Sequence, residues 1–329
     1  MNIELSQVMK ENGRMATWAE RVCKNIAMSE EDRGISEAVD AFAKRIGETG
    51  VADVALSQYL IKTITPEVYN APSELLSLIL DSSEIGEFDE VGVISNPVNR
   101  LMARNSAPRT GEVDKSYIDF TRGTKESVHL QVNTELKMSD LRQNGFKTIA
   151  QLQQFATESL NNAKFYNIFN KINTLLGTVA TPNVILATDL TVLAMDEFTG
   201  YTVDRGRNPL VVGLTEDLRK IKNMSGYTNF LSNEMKGALN ANAIMEVYGG
   251  ATIAKISSAE KLADGTKLLP AKTLFGISDK VGSMYMRGGL RVLQTPDNSK
   301  EIINLKFTGF EFVYAITQLD KIAKLIMTN

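Results

Sequence analysis

The chain has 329 residues, of which 43% are hydrophobic, and it carries a formal net charge of −3. This length predicts two or so domains, with ample apolar content for a buried core. The sequence has no basic patch of the kind that would indicate sequence-specific nucleic-acid binding. Its single cysteine, Cys23, excludes an intramolecular disulfide framework. No apolar stretch approaches the length of a membrane-spanning helix, and the N-terminal residues lack the hydrophobic region of a signal peptide.

Residues 1–80 are predicted to form four helices, because apolar side chains recur there every three or four positions. The first two stripes comprise Val8, Met15, Trp18, Val22 and Ile26, then Ile35, Val39, Phe42, Ala43 and Ile46. The second helix is expected to end at Gly47 and Gly50. The third runs from Val54 to Ile64, and the fourth follows Pro72 and extends to Leu80. Trp18 is interpreted as a packing anchor.

An acidic run without lysine or arginine follows these helices. Its members are Asp81, Glu84, Glu87, Asp89 and Glu90. Such a run is typical of a solvated linker.

Two strand-like segments, 91–95 and 116–121, flank a polar stretch that contains three arginines. These are Arg100, Arg104 and Arg109. We interpret the whole as an extended hairpin whose second strand ends in a turn at Arg122 and Gly123. Because an extended basic hairpin cannot bury itself, it is expected to lie either on its own domain or on a neighbouring molecule.

A strand with one solvent-exposed face then leads into the longest predicted helix. From Val128 to Leu136 apolar and polar residues alternate, and His129 falls on the polar face. From Ser139 to Gly177 the chain is free of proline and its apolar residues follow helical spacing. Ser139 is expected to cap this helix, Gly145 to allow a bend and Gly177 to end it. Asn161 and Lys164 are assigned mainly to its polar side.

The C-terminal half alternates short strands with helices. A buried strand or turn is predicted at 182–189, followed by a short helix through Phe198. Strands are predicted at 209–213, 251–257, 268–278 and 284–294, with two helices over 215–246. After Ile303, Leu305 and Phe307 the apolar phase slips by one residue at Gly309, which predicts a β-bulge. The last residues, from Leu319 to Ile326, are expected to form a short amphipathic tail.

No catalytic constellation is evident. With His129 as the only histidine and Cys23 as the only cysteine, zinc sites of the usual kind cannot form. A Ser-His-Asp triad would have to use His129, and no G-x-S-x-G motif accompanies it. Neither a phosphate-binding loop nor a dinucleotide fingerprint occurs. We therefore expect no catalytic, cofactor-binding or metal-binding residues, and take Met284 and Met286 as core filling.

The order of these segments resembles the major capsid protein of tailed bacteriophages, whose fold is shared with encapsulin shells and the floor of herpesvirus capsids. The ending INLKFTGFEFVYAITQLDKIAKLI is similar to many phage capsid C-termini. The resemblance implies an α+β fold with five segments. These are an N-terminal helical arm (1–90), an extended E-loop hairpin (91–126), a P-domain with a long spine helix (127–180), an A-domain (181–285) and returning P-domain strands (286–329).

The same resemblance implies a structural protein of the virion and no enzymatic activity. Copies would assemble in the host cytoplasm into hexamers and pentamers of an icosahedral head shell around double-stranded DNA. The implied partners are further copies, portal and scaffolding or decoration proteins, and packaged DNA held non-specifically, with no membrane. Contacts between copies are expected to pair hairpin arginines with acidic residues of an adjacent subunit, namely Arg100, Arg104 and Arg109 with Glu84, Glu87 and Asp89.

Three alternatives stay open from the sequence. An encapsulin-type compartment shares the fold but encloses a cargo enzyme. An unrelated α+β enzyme would have an enclosed polar pocket. A tail or baseplate protein would form rings or tubes.

Overall fold

The computed structural model describes most of the chain in separate stretches. The described residues are Trp18, Arg21, 29–49, 71–86, 89–92, 94–99, 118–137, 139–140, 143, 146–224, 246–287, 291–297 and 300–328. They fall into two compact units. The first takes those within Met1–Ser73, His129–Lys164 and Arg287–Glu311, and the second takes those within Glu74–Val128, Phe165–Met286 and Phe312–Asn329. Five continuous elements have residues in both units.

The described chain contains both helices and strands, with several strands in succession, as is typical of an α+β protein. The helices are α1 Glu30–Thr49, α2 Ala71–Ile79, α3 Phe146–Leu176, α4 Val192–Val203 and α5 Thr215–Leu218, with 3-10 turns at Arg219–Asn223 and Leu319–Lys321. The strands are β1 Leu80–Ile85, β2 Ser95–Asn99, β3 Ile118–Arg122, β4 Glu126–Lys137, β5 Val184–Ala187, β6 Leu210–Leu214, β7 Val247–Tyr248, β8 Ala251–Ile256, β9 Thr273–Ile277, β10 Gly282–Arg287, β11 Arg291–Asp297, β12 Ile302–Ile316 and β13 Ile322–Met327.

Helix α1 of the first unit begins with a reciprocal cap. The amide of Asp32 donates to the Ser29 hydroxyl, and the amide of Ser29 donates to the Asp32 carboxylate at 2.9 Å. Burial raises the pKa of Asp32, but the bonds from Ser29 and the charge of Arg21 outweigh it and leave the pKa lowered. Trp18 is fully buried and donates to Ser36 at 2.8 Å, as expected of a packing anchor. The helix runs on through Gly47 to Thr49.

The acidic run begins as a strand, so its interpretation as a linker was wrong for residues 81–85. Helix α2 ends at Ile79, and the chain passes directly into β1, where Leu80 is fully buried. Strand β1 pairs with β10 at one edge of a five-stranded sheet, and Asp81 forms an ion pair with Lys280. An edge strand tolerates charged side chains, which explains how an acidic sequence can occupy it.

The five-stranded sheet has the order β1-β10-β12-β11, and β4 also pairs with β12. The predicted one-sided strand is confirmed in β4, where half-buried and exposed residues alternate and Leu136 is buried. Strand β12 continues through Gly309 as one 15-residue strand, with Ile303, Leu305 and Phe307 buried in its first half. The bulge predicted at Gly309 stays a prediction.

The hairpin strands pair with each other in a separate two-stranded sheet. Both lie further along the chain than predicted, at Ser95–Asn99 and Ile118–Arg122. The first strand includes Pro97, which stands opposite Phe120. Proline is accepted there because a two-stranded ribbon leaves one side of each strand without ladder bonds.

Helix α3 confirms the predicted long helix, with 31 residues that end at Leu176. At about 1.5 Å per residue it is roughly 46 Å long. Gly177 follows with φ +69, as a helix-ending glycine requires. Ser139, expected to be the cap, is itself helical, while Gly145 lies outside the described residues. The buried stripe comprises Ala156, Thr157, Leu160, Asn161, Lys164, Phe165, Ile168, Phe169 and Ile172.

Two polar residues of this stripe contradict the sequence-based assignment. Asn161 and Lys164 are buried, although both were placed mainly on the polar side. They follow Thr157 at intervals of four and three, so helical geometry puts all three beside the apolar residues. The ammonium of Lys164 lies 5.4 Å from the centre of the Phe310 ring, a cation–π contact that partly offsets the burial of its charge.

The six-stranded sheet belongs to the second unit and has the order β5-β13-β9-β6-β8-β7. The predicted amphipathic tail is wrong, because residues 322–327 form β13 between β5 and β9. Five of the six residues of β13 are buried, so both of its faces are covered and its sequence lacks clear alternation. Over 215–224 the predicted first helix is only α5 and a 3-10 turn, and residues 225–245 lie outside the described residues.

Helix α4 covers one face of this sheet. Met195 and Phe198 pack with Ile185, Val211, Leu274, Leu325 and others in one apolar cluster. On the opposite face Phe275 meets Phe169 of α3 edge to face, with ring centres 5.5 Å apart. Within the second unit, the end of α3 and helix α4 therefore enclose the sheet.

Candidate functional site

Of the six residues predicted to join subunits, only two lie in the described part of the chain. Glu84 is exposed on β1, and Asp89 is exposed after it. The carboxylate of Asp89 accepts a bond from the amide of Gly86 at 2.9 Å. The other four, Arg100, Arg104, Arg109 and Glu87, lie outside the described residues. The six therefore remain a prediction.

The root of the hairpin is fixed by two bonds to the preceding segment. Gly123 donates its amide to the carbonyl of Ile94 at 3.2 Å, and the Lys125 ammonium donates to the carbonyl of Val91. Gly123 also lies against the end of β12. A Cβ at this position would come within 2.9 Å of Ala315, Ile316 and Thr317. Only glycine leaves room for this close approach.

A cavity of about 350 Å³ lies beside this root, within the second unit. Its lining combines the residues after β3 with the end of α3 and the end of β12. The lining residues are Arg122, Gly123, Thr124, Glu126, Lys171, Leu175, Tyr314, Ile316, Thr317, Leu319 and Asp320. No histidine or cysteine is among them.

The charged groups of the cavity are partly paired with one another. Lys171 of α3 forms a 2.5 Å ion pair with Glu126, the first residue of β4. Tyr314 donates from its hydroxyl to the carbonyl of Asn167 at 3.2 Å. Burial raises the pKa of Tyr314 to about 12, and the nearby charge of Glu126 adds to the effect. The tyrosine is therefore a neutral donor at ordinary pH, and these contacts join β4, α3 and β12.

One face of β3 presents apolar side chains to solvent. Ile118 and Phe120 are 51% and 59% exposed, and Arg122 continues the same face. A two-stranded ribbon is marginally stable in water by itself. An apolar face on such a ribbon is a surface that a further molecule can cover.

The described residues hold little that points to catalysis. They include no group of three histidine, cysteine, aspartate or glutamate side chains arranged to hold a metal ion. The single histidine, His129, is exposed and lies 3.4 Å from a carboxylate oxygen of Glu311. No helix in the described stretches is both long and apolar enough to cross a membrane.

Neither a family model nor a curated protein matches the sequence. Solved structures do match the fold. A chain from the capsid structure of the cyanophage P-SCSP1u is 11% identical with a TM-score of 0.55, over 77% of this chain and 88% of that one. A chain from Microbacterium phage Oxtober96 is 13% identical with a TM-score of 0.51, over 80% and 92%. A chain from the capsid of a native GTA particle is 13% identical with a TM-score of 0.50, over 79% and 91%.

These matches define the fold. The chain is an α+β protein of the class found in viral capsid shells, as the sequence resemblance implied. In particular, it has the fold of tailed-phage major capsid proteins.

The sequence analysis missed two features: the close approach of Gly123 at the hairpin root, and the ion pair between Glu126 and Lys171 in the cavity beside it. Gly123 was noted only as part of a turn, and Glu126 and Lys171 were not singled out. They are 45 positions apart, and no local pattern links an acid at the start of a strand to a lysine near the end of a helix. Glu126 fell in the predicted hairpin segment (91–126), ahead of the strand predicted from Val128, so the sequence offered no signal that pairs it with Lys171.

Proposed function

We propose that this protein is a major capsid protein that assembles with copies of itself into the hexamers and pentamers of an icosahedral shell. In this role it encloses double-stranded DNA, belongs to the virion and has no enzymatic activity. The observation that carries the proposal is the likeness to the P-SCSP1u capsid chain over most of both chains. At 11% identity the fold is retained where the sequence is not.

The hairpin supports the same role on physical grounds. Subunits of a closed shell need large self-complementary edges. The β2–β3 ribbon pairs with no other described strand and carries Ile118 and Phe120 half exposed. Its tight anchor at Gly123 suits a segment that reaches onto a neighbour. We propose the domain boundaries at 90, 126, 180 and 285 on the same basis, with the hairpin and the N-terminal segment as the reaching parts.

Partners beyond further copies are part of the proposal. A shell of this kind takes portal and scaffolding or decoration proteins, and a subunit with net charge −3 contacts DNA only weakly and without sequence preference. We propose that Arg100, Arg104 and Arg109 pair with Glu84, Glu87 and Asp89 of an adjacent copy. Each exposed pair is worth only about 0–1 kcal/mol, but a shell repeats it many times.

Sedimentation and negative-stain microscopy of the purified protein test this function. We expect pentamers, hexamers or closed shells. A protein that stays monomeric at high concentration would overturn the proposal, and rings or tubes without closed shells would indicate a tail or baseplate protein. In particles from the native source, double-stranded DNA supports the virion, whereas a co-purifying enzyme would indicate an encapsulin-type compartment.

A further inference from the structure

The six-stranded sheet has two open edges, and they carry matching features. Strand β5 forms one edge and β7 the other, and no other described strand pairs with either on its outer side. We propose that neighbouring copies join edge to edge through this sheet, with Leu186 of one copy opposite Val247 of the next. This inference rests on the proposed shell function and names the contact that would close its rings.

The backbone of Leu186 points out from the β5 edge. Strand β13 bonds to alternate residues of its parallel neighbour, because the amides of Lys324 and Thr328 donate to the carbonyls of Asn183 and Ala187. Val184 and Leu186 therefore direct their backbone groups away from β13. Val184 exchanges both of its bonds with Thr181. The N–H and C=O of Leu186 are left facing the open edge.

The backbone of Val247 points out from the β7 edge in the same way. Gly249 and Gly250 both have positive φ and form the two-residue turn between β7 and β8. Tyr248 and Ala251, which flank the turn, form the bonded pair, and the amide of Ile253 donates to the carbonyl of Glu246. Val247 lies between these bonded positions. Its N–H and C=O therefore face away from β8.

The two side chains also lie on the same face of the sheet. Residues opposite each other on paired strands share a face, as do residues an even number apart on one strand. The registers connect Leu186 to Val247 through Ile326, Thr273, Ile277, Leu210 and Thr252. Leu186 is 46% exposed and Val247 is 51% exposed. Each is thus an apolar side chain, open to solvent, at the position where the edge can accept a partner.

Strand direction completes the match. Strand β5 is parallel to β13, β13 is antiparallel to β9, β9 to β6, and β6 is parallel to β8, which is antiparallel to β7. Strands β5 and β7 consequently run in opposite directions. Copies related by rotation about an axis along the strands would bring them together as an antiparallel pair, in which Leu186 and Val247 exchange two backbone bonds.

Such a contact joins two different edges, so it is head to tail. A head-to-tail contact between identical copies produces a ring when the rotation closes. The occupant that fits is therefore a second copy of this chain. Both strands are short, which limits uncontrolled growth of the sheet and leaves the contact to act together with other parts of the shell interface.

Disulfide cross-linking tests the pairing. The only native cysteine is Cys23, so Cys23→Ser gives a cysteine-free background. In that background we add Leu186→Cys with Val247→Cys and oxidise the assembled particles mildly. Bonded antiparallel partners have Cα atoms about 5.5 Å apart, within the range that a disulfide spans. We expect a ladder of covalent oligomers up to the size of the ring on non-reducing gels, and its loss on reduction.

Two controls keep the result specific. Either cysteine alone should give no covalent dimers. Leu193→Cys with Val247→Cys should give no ladder, since Leu193 is exposed on α4 and not on an edge. If the reduced double variant fails to fold, an equimolar mixture of the two single variants carries the same test, with covalent dimers of unlike copies as the expected product in place of the ladder, because each copy then has one cysteine. Shells that form without the ladder, or dimers from Leu186→Cys alone, overturn the edge pairing and leave the shell function standing. A wild-type protein that stays monomeric at high concentration overturns the shell function itself.

Discussion

The ammonium of Lys324 donates to the carbonyl of Gly177 at 2.7 Å. The two residues are 147 positions apart, and the bond links the last strand to the end of the longest helix. Lys324 is buried, and this burial lowers its pKa. The unpaired carbonyls at a helix C-terminus carry partial negative charge, so a cation placed there is stabilising.

Replacing this lysine should loosen the helix end. Lys324→Met keeps much of the volume but removes the donor, and leaves the half-buried carbonyl of Gly177 without this bond. We expect the free energy of unfolding to fall by about 1–3 kcal/mol in urea titrations of the unassembled subunit. Lys306→Met, at an exposed position of β12, serves as the control and should change little. Equal stability of the two variants would contradict the role of Lys324.

For Lys164 we predict the opposite effect, because its buried charge lowers the stability of the folded protein at neutral pH. Only 5% of it is exposed, and burial lowers its pKa to about 8 from 10.5. Between these values the unfolded chain binds more protons than the folded protein, so stability should rise with pH. The full difference corresponds to roughly 3 kcal/mol. Urea titrations from pH 8 to 10 should show the rise, below the range in which Tyr314 titrates in the folded state.

Lys164→Met tests the source of this pH dependence. The variant should be more stable than the wild type at neutral pH and should show a smaller rise between pH 8 and 10. Lys324, whose pKa is also lowered by burial, contributes to the rise that is left. Burying a charged ammonium is costly, whereas methionine fits an apolar stripe without that cost. A variant with the same slope as the wild type would assign the pH dependence to other groups.

Gly123→Ala should disturb the hairpin root. The added Cβ would meet a backbone oxygen and two side-chain carbons at 2.9 Å, so the chain must move away from β12. Overpacking of this kind costs about 1–3 kcal/mol. Gly92→Ala is a matched control, since nothing lies within 4 Å of its Cβ position. Urea titration measures the cost, and limited proteolysis should cut the hairpin faster in the first variant only.

Charge reversal in the hairpin tests the predicted contacts between copies. Arg104→Glu together with Arg109→Glu should lower the yield of assembled particles and make assembly more sensitive to salt, while leaving the subunit's unfolding transition in place. Lys222→Glu with Lys306→Glu makes the same change in net charge at exposed positions elsewhere. Light scattering against salt concentration follows both. Assembly equal to the control would show that these arginines are incidental.

Deletion of residues 98–112 asks whether the hairpin as a whole joins copies. We expect the shortened chain to keep its cooperative unfolding transition and to lose closed shells in micrographs. A shortened chain that still forms shells would assign the main contact to another part of the subunit.

Local patterns in the sequence determined most of the elements. The alternation from Val128 to Leu136 specified a strand with one wet face, and helical spacing with Gly177 at the end specified α3. These signals are local, because the period of the apolar residues follows directly from backbone geometry. The order of the elements was enough to indicate the fold, which the structural likeness then confirmed.

Only the tertiary structure decided which neighbours each element has. By composition alone, residues 322–327 resemble an amphipathic tail and residues 81–85 resemble a linker. In the structure, residues 322–327 form a strand between β5 and β9, and residues 81–85 pair with β10. The burial of Lys164, the bond from Lys324 to Gly177 and the pair Glu126–Lys171 depend on contacts between distant segments. Such contacts leave no periodic trace in the sequence, because their energy comes from packing and charge in three dimensions.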